Sequence, residues 1–263
     1  MNQSYEDRYC LFLDILGFQS HVDDTKKEKA KENADKMTFE KLMAALNQIH
    51  ESVHYSDEME VSGKLVPTSR RVIQFSDSVV ISYLKEESDD IGVEKILKDV
   101  FSLQLLLVQQ GILLRGAITV GDLHHDEKLI FGPALNAAVE FERLANYPRV
   151  ILSPGVLDNK KKKLPHTIAE DFDGLSYIDY FNVQPSDFRE NWDGVLIYLE
   201  ELRSVVKKLS SAKIPSLKVK HSWLRKKFNL MAEPFKKNDY KTLGKSEMPD
   251  DYVAQFKKIT PFE

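Results

Sequence analysis

Two carboxylates stand out by the company they keep. Asp14 lies near the end of the apolar run Tyr9-Cys10-Leu11-Phe12-Leu13-Asp14-Ile15-Leu16-Gly17-Phe18, and Asp77 interrupts a second run, Val72-Ile73-Gln74-Phe75-Ser76-Asp77-Ser78-Val79-Val80-Ile81. Runs rich in β-formers and closed by a turn residue read as buried strands. An ionised carboxylate at the edge of such a strand must be paired or hold a cation, because burying it alone is costly. Two strands that each present one Asp therefore suggest two carboxylates gathered around a divalent metal. The plainer alternatives are a helix cap for Asp14 and a hairpin-turn residue for Asp77.

Arg115 poses the complementary question. It sits inside the apolar stretch Ile112 to Val120, where a guanidinium needs an anionic partner, either a phosphate or a structural carboxylate. Other groups have blander readings. His124-His125-Asp126 falls at a turn, where adjacent side chains seldom converge on one metal. Glu140 and Glu142 read as exterior helix residues or partners of Arg143. Trp192 and Trp223 read as packing residues. The Lys160 to Lys163 run, between Gly155 and Pro165, reads as a solvated loop. No phosphate-binding glycine loop of the GxxxxGK type, HExxH, GxSxG or dinucleotide fingerprint occurs.

The elements that must position these groups follow from periodicity. Gln19 to Lys36 and Phe39 to His54 predict one or two amphipathic helices. Tyr55 to Ser69 predicts a loop, and Arg71 to Phe75 with Val79 to Leu84 a strand pair turning at Ser76-Asp77-Ser78. Val93 to Gln110 predicts a helix stopped by Gly111. Ile112 to Val120 predicts a strand, with a turn opening at Gly121-Asp122 and a return strand at Lys128 to Phe131. Pro133 then starts an Ala-rich helix to Asn146, Arg149 to Ser153 is a strand, and Asp171 to Phe181 a further one. This order predicts an α/β (α+β) sandwich with helices on a mostly antiparallel sheet. The tail is lysine-rich and helical at Leu196 to Leu209 and Leu217 to Met231. The expected division is a domain over 1–183 and a helical C-terminal extension over 184–263, packed on the core or on a second subunit.

Bulk properties narrow the function classes. The 263 residues have a formal net charge of −4, with 42% hydrophobic and 30% charged residues, so nothing in the balance asks for nucleic acid. The single cysteine, Cys10, excludes an intramolecular disulfide framework and a thiolate zinc site, and fits a reducing compartment. No signal-peptide core precedes Arg8, and no run approaches the roughly 20 apolar residues of a membrane span. The expectation is a cytoplasmic protein with no membrane or nucleic-acid partner.

Several of these stretches resemble, in order, the motifs of class III nucleotidyl cyclases. Phe12 to Phe18 is similar to the family's first strand, and Phe75-Ser76-Asp77 to its second metal motif, where Gly is more usual than Ser76. Leu114 to Gly121, Phe131 to Ala138 and Arg149 to Ser153 are similar to its second half. The resemblance spans roughly residues 8 to 155. It implies a ferredoxin-like cyclase domain in which Asp14, Asp77 and the Ile15 backbone hold two Mn²⁺ or Mg²⁺ ions. The turn and helix start from Ile15 through Leu16 and Gly17 to Phe18 would then cradle the phosphates. Asn136 would come from the other subunit of a homodimer with shared sites and orient the ribose. The family's transition-state arginine would lie four residues after that Asn, where this chain has Glu140, leaving Arg115 or Arg143 to serve. The positions that read purines are Ile73 and Leu129, neither able to hydrogen-bond a base edge.

Missing purine determinants, with a tail carrying Lys220-His221-Ser222-Trp223-Leu224, look similar to the pyrimidine cyclases of Pycsar anti-phage systems. That implies UTP or CTP as substrate, cyclic UMP or cyclic CMP as product, and a separate effector that the product acts on. Arg71, Gln74 and Tyr55 are the residues on or before the strand that could read the base. The other readings are a non-catalytic nucleotide sensor, suggested by Glu140, and a purine cyclase with rearranged base recognition.

Overall fold

The computed structural model describes residues 4–26, 38–54, 58–61, 64–85, 91–157, 167–236, 242–243 and 246–263. The chain begins with β1 (Glu6–Ile15), α1 (Phe18–Lys26) and α2 (Phe39–His54). The hairpin β2 (Glu58–Val61) and β3 (Lys64–Pro67) follows, then β4 (Arg71–Phe75), β5 (Ser78–Leu84) and α3 (Ile91–Val108). Next come β6 (Leu114–His125), β7 (Ile130–Phe131), α4 (Pro133–Leu144), β8 (Val150–Leu152) and the short α5 (Pro154–Leu157). The C-terminal part contains β9 (Ile168–Glu170), β10 (Ser176–Ile178), α6 (Trp192–Ser210), α7 (Pro215–Lys236), the small β11 (Thr242–Leu243) and β12 (Ser246–Glu247) pair, and α8 (Asp250–Phe256).

Among the described residues the main sheet has eight strands in the order β4-β5-β1-β6-β8-β10-β9, with β7 paired to β6. Every pairing is antiparallel except β6 with β8. The mostly antiparallel α/β sandwich predicted from periodicity is therefore the observed class. β1 is central because its pattern buries both faces. Tyr9, Leu11, Leu13 and Ile15 join Leu42, Ala45 and Ile49 of α2 and Val93, Ile96 and Val100 of α3 in the larger apolar core. On the other face Cys10 and Phe12 meet Ala134 and Ala138 of α4. Alternation along a strand sends successive side chains to opposite faces, so this division follows from the period of two.

Three local predictions differ from the structure. The stretch Tyr55 to Ser69 contains the β2–β3 hairpin rather than loop throughout. Asp171 to Phe181 is not one strand; a turn separates β9 from β10, with the Asp171 amide donating to the Leu175 carbonyl. β6 runs past Gly121-Asp122 to His125, because Glu6 and Asp7 of the long β1 continue the ladder there. The lysine run at 160–163, and residues 27–36 of the predicted first helix, lie outside the described residues.

Valine, leucine and aromatic side chains of the C-terminal helices, Val195, Leu199, Trp223, Leu224 and Phe228 among them, belong to the same apolar core as β1. No helix among the described residues is long and apolar enough to cross a membrane.

Candidate active site

Register alone places the central groups. Asp14 of β1 lies opposite Ser78 of β5 and opposite Arg115 of β6. Phe75 pairs with Ser78, so Ser76 and Asp77 form a two-residue hairpin turn. Ser76 takes a positive φ of 56° there, a conformation that Gly accepts without steric cost. The turn delivers Asp77 beside the end of β1, where its carboxyl hydrogen-bonds that of Asp14.

Two carboxyls in contact cannot both ionise without cost. Burial pushes the Asp14 pKa up, and the hydrogen bond and charge of Asp77 push it further, to about 6, against the opposing pull of Arg115. Arg115 Nη2 stands 3.8 Å from Asp14 Oδ2. Its Nε forms an ion pair with Glu142 Oε1 of α4. Glu142 is 5% exposed, so the reading of it as an exterior residue or partner of Arg143 is corrected. It occupies the row Ala134, Ala138, Glu142, four residues apart, that packs on the sheet. The anionic partners that Arg115 required are thus two carboxylates of its own chain.

The backbone beyond Asp14 turns sharply. Gly17 has φ 77°, and its carbonyl accepts from the Ser20 and His21 amides as α1 begins. Ile15, Leu16, Gly17 and Phe18 consequently span the strand end, the turn and the first residue of the helix. Amides at such a helix start suit an anion. Among the described residues no group of three or more His, Cys, Asp or Glu side chains is placed to hold a metal ion. A cation at Asp14 and Asp77 would thus need further oxygen ligands from backbone, water or a bound phosphate. Carboxylate oxygens in contact are a hard donor set, suited to Mg²⁺ or Mn²⁺ rather than to a thiophilic metal.

Other predicted site residues are not at this point. Asn136, Glu140 and Arg143 lie exposed along one face of α4, away from the Ala134-Ala138-Glu142 row that touches the sheet. Gln74 pairs with Val79 while Phe75 pairs with Ser78, so the pleat turns Gln74 to the sheet face opposite Asp14. It is corrected as a base reader within this protomer. Arg71 pairs with Ser82, on the Asp14 face but four residues along β5 from Ser78. There its charge, after burial and Arg8, helps push His125 down to about 3. Tyr55 lies outside the described residues. His124 and His125 end β6 and do not converge; His125 Nδ1 meets Ser82 Oγ at 2.7 Å, whereas His124 Nε2 meets Asp126 at 3.0 Å.

Sequence reasoning missed Glu142 as a neighbour of the carboxylate pair. The small-residue row Ala134-Ala138 carried the signal for Glu142, since the next residue four along must share the buried face.

No protein-family model matches the chain, and no curated protein matches it either. Among solved structures it is similar to the dimeric guanylyl cyclase domain of the RhoGC fusion protein from the fungus Blastocladiella emersonii, at 13% identity and TM-score 0.43, covering 66% of this chain and 94% of that one. It is similar to the adenylyl cyclase CyaB from P. aeruginosa at 14% identity and TM-score 0.39, covering 66% and 92%. The guanylate cyclase domain of RhGC from Catenaria anguillulae, in complex with GTP, matches at 14% identity and TM-score 0.41, covering 66% and 95%.

Proposed function

We propose that the chain is a divalent-cation-dependent nucleotide cyclase that converts a pyrimidine nucleoside triphosphate, UTP ahead of CTP, to its 3′,5′-cyclic monophosphate and pyrophosphate. The observation that carries this reading is the contact between Asp14 and Asp77, delivered by the ends of neighbouring strands beside the Gly17 turn. The ordered motifs from Phe12 to Ser153 support it, and the apolar Ile73 and Leu129 favour a pyrimidine over a purine.

The chemistry is an in-line displacement. The ribose 3′-oxygen attacks the α-phosphorus, the bond from that phosphorus to the bridging oxygen breaks, and pyrophosphate leaves with that oxygen. The hydroxyl proton is lost to solvent or a nearby base. Asp14, Asp77 and the Ile15 backbone would hold Mn²⁺ or Mg²⁺, which lowers the hydroxyl pKa and offsets triphosphate charge. Amides from Leu16 to Phe18 would receive phosphate oxygens. Asn136 and Arg143, facing outward on α4, would serve the site of the second subunit in a homodimer. In this reading the cyclic product is a second messenger for a separate effector in anti-phage defence.

The exposed Glu140 favours a second reading, a nucleotide sensor without turnover. Incubation of purified protein and Mn²⁺ with each of the four triphosphates, followed by product identification, separates the readings. Cyclic UMP and pyrophosphate from UTP are expected. Products from ATP or GTP alone overturn the pyrimidine assignment, and binding without turnover supports the sensor.

A further inference from the structure

The C-terminal helix α7 carries a surplus of positive charge that packing does not consume. It sets Lys218, Lys220, Arg225, Lys226, Lys227 and Lys236 against Glu233 alone, in a chain whose formal net charge is −4. Two of these cations are committed. Lys227 Nζ stands 2.8 Å from Tyr177 Oη and 3.2 Å from Asp171 Oδ1, and Arg225 donates to the Glu263 main-chain oxygen at 2.7 Å. The exposed Lys218 and Lys226 ammoniums make no hydrogen bond or ion pair among the described residues. With Ser222 between them they follow at four-residue spacing, so they lie on one line along the helix, about 12 Å from end to end.

Beside that line runs a ledge of aromatic rings. Tyr147, just after α4, stacks on Trp223 of α7 with ring centres 5.3 Å apart, and Phe172 meets Tyr147 edge-on at 5.7 Å. One carboxylate fixes both ends of the ledge: Asp171 accepts from the Trp223 indole at 2.6 Å and from the Phe172 amide at 3.0 Å. Phe172 is nevertheless 69% exposed, and Val219 of α7 is 54% exposed. A ring pinned in place and left in water contributes little to the core. These three rings, with Val219 and the Lys218-Ser222-Lys226 line, border one groove of 360 Å³. That volume suits a small molecule, and no carboxylate lines the groove. A second hollow sharing Ser222 and Lys226 reaches Glu233, whose charge opposes an anionic strand running on along the helix.

We propose that this groove is a second nucleotide site, distinct from the Asp14–Asp77 pair, which holds a single nucleoside phosphate. The base stacks on the Phe172 and Tyr147 rings, and the phosphate oxygens accept from Lys218 and Lys226. Stacking accepts any base, whereas the two ammoniums require an anion. The site stands on its own residues and does not require the cyclase reading. Where both hold, the substrate and the product of that reaction belong to the same ligand class, and the test tells which of them the groove prefers.

Calorimetry on the full chain without divalent cation withholds the metal that the carboxylate pair would need, and so reads the groove. UMP should bind at least about tenfold more tightly than uridine or inorganic phosphate, because each of those keeps only one of the two contacts. Phe172→Ala, Lys218→Met and Lys226→Met should each weaken UMP binding about tenfold. Their melting temperatures should stay at the wild-type value, since all three side chains are exposed. Lys207→Met, exposed on α6, should match wild type in both respects. Cyclic UMP and UTP are then compared, and either order of affinity supports the site and names the ligand's source. A wild type that binds no UMP, or a UMP affinity unchanged in all three variants, overturns the proposal. A uridine oligonucleotide held far more tightly than UMP overturns the single-nucleotide assignment in favour of a strand. Turnover of UTP with Mn²⁺ is measured separately, so either failure leaves the cyclase reading to its own test.

Discussion

The molecule contains two clusters of charge built from similar parts and brought to opposite conditions. At one, Arg149 is wholly buried and satisfied on every side. It donates to Asp171 at 2.6 Å, to Asp173, and to the Ala145 carbonyl at 3.1 Å, with its guanidinium over the Tyr147 and Tyr177 rings. Burial alone would push Asp171 up. Hydrogen bonds from the Trp223 indole and the Phe172 amide, with the charge of Lys227, hold it below the ordinary carboxylate range instead. At the other, Asp14 is half-buried and pushed up to about 6, with a second carboxyl in contact and Arg115 shared with Glu142. A network in which each carboxylate is matched by donors is a structural joint, tying β8, the β9–β10 turn and α7 together. A network left with excess negative charge at a strand end needs its balance supplied from outside, by cations.

The sharpest way to break this comparison is the same substitution at both places. Asp14→Asn should reduce UTP turnover by at least about 1000-fold, since electrostatic groups at a phosphoryl-transfer centre commonly contribute that much. It should also raise the melting temperature of the cation-free protein, because it removes a like-charge contact. Asp171→Asn should do the reverse. It leaves a buried guanidinium short of its charge partner and should cost roughly 3–5 kcal/mol of stability in denaturant unfolding, with kcat little changed in whatever fraction remains folded. If both variants lost stability alike and kept activity alike, the distinction between joint and site would be gone.

Much of this was legible beforehand and some was not, for identifiable reasons. The strands that carry Asp14 and Asp77 announced themselves because a buried strand needs a continuous apolar run, and a carboxylate in one is conspicuous. The fold class followed from alternation of periods two and 3.6. Glu142 escaped because a single charged residue on an amphipathic helix is ordinarily solvated. Its burial depends on which α4 face meets β6, fixed by the close seat of Gly132 against the Asp122 carbonyl. Gln74 was misassigned to the site because sequence adjacency to Asp77 does not reveal pleat parity once a two-residue turn intervenes. The Arg149 joint was illegible for a different reason. Its carboxylate partners Asp171 and Asp173 lie 22 and 24 residues downstream, and Trp223, which donates to Asp171, lies 52 residues beyond that aspartate. Nothing local marks a salt-bridge partner at such separation.

A pH series sharpens the contrast with smaller effects. Asp14 has a folded pKa raised to about 6, above its unfolded value, so its contribution to stability is present below the unfolded pKa and fades as pH rises through about 6. Asp171 is depressed, so its contribution is present above the unfolded pKa and lost as pH falls through its folded value. Without divalent cations, raising the pH from 4.5 to 7, an interval set by those two directions at roughly the ordinary carboxylate pKa and above, should therefore lower the Asp14 share of the melting temperature by a few degrees. Mn²⁺ should reverse that loss at pH near 7 and leave Asp14→Asn unmoved. Scanning calorimetry across the interval, with and without the ion, reads this directly. A cation response that survives in Asp14→Asn would place the ion elsewhere.

The smallest expected effect concerns the turn that delivers Asp77. Ser76 holds φ 56° between Phe75 and Asp77, in the left-handed region where a Cβ crowds the following carbonyl. That conformation costs an L residue about 1–2 kcal/mol, which glycine avoids in the folded state and partly returns through its looser unfolded chain. Ser76→Gly should therefore change unfolding free energy by no more than about 1 kcal/mol, in the stabilising direction. Asp77 would stay in the turn beside Asp14, so UTP turnover should remain within about twofold of wild type, a difference well under the tenfold that 1.4 kcal/mol represents. The two readouts together discriminate a shape constraint from a chemical one. A large loss of turnover in Ser76→Gly with stability intact would mean that the serine hydroxyl, and not only the turn it bends, belongs to the carboxylate pair.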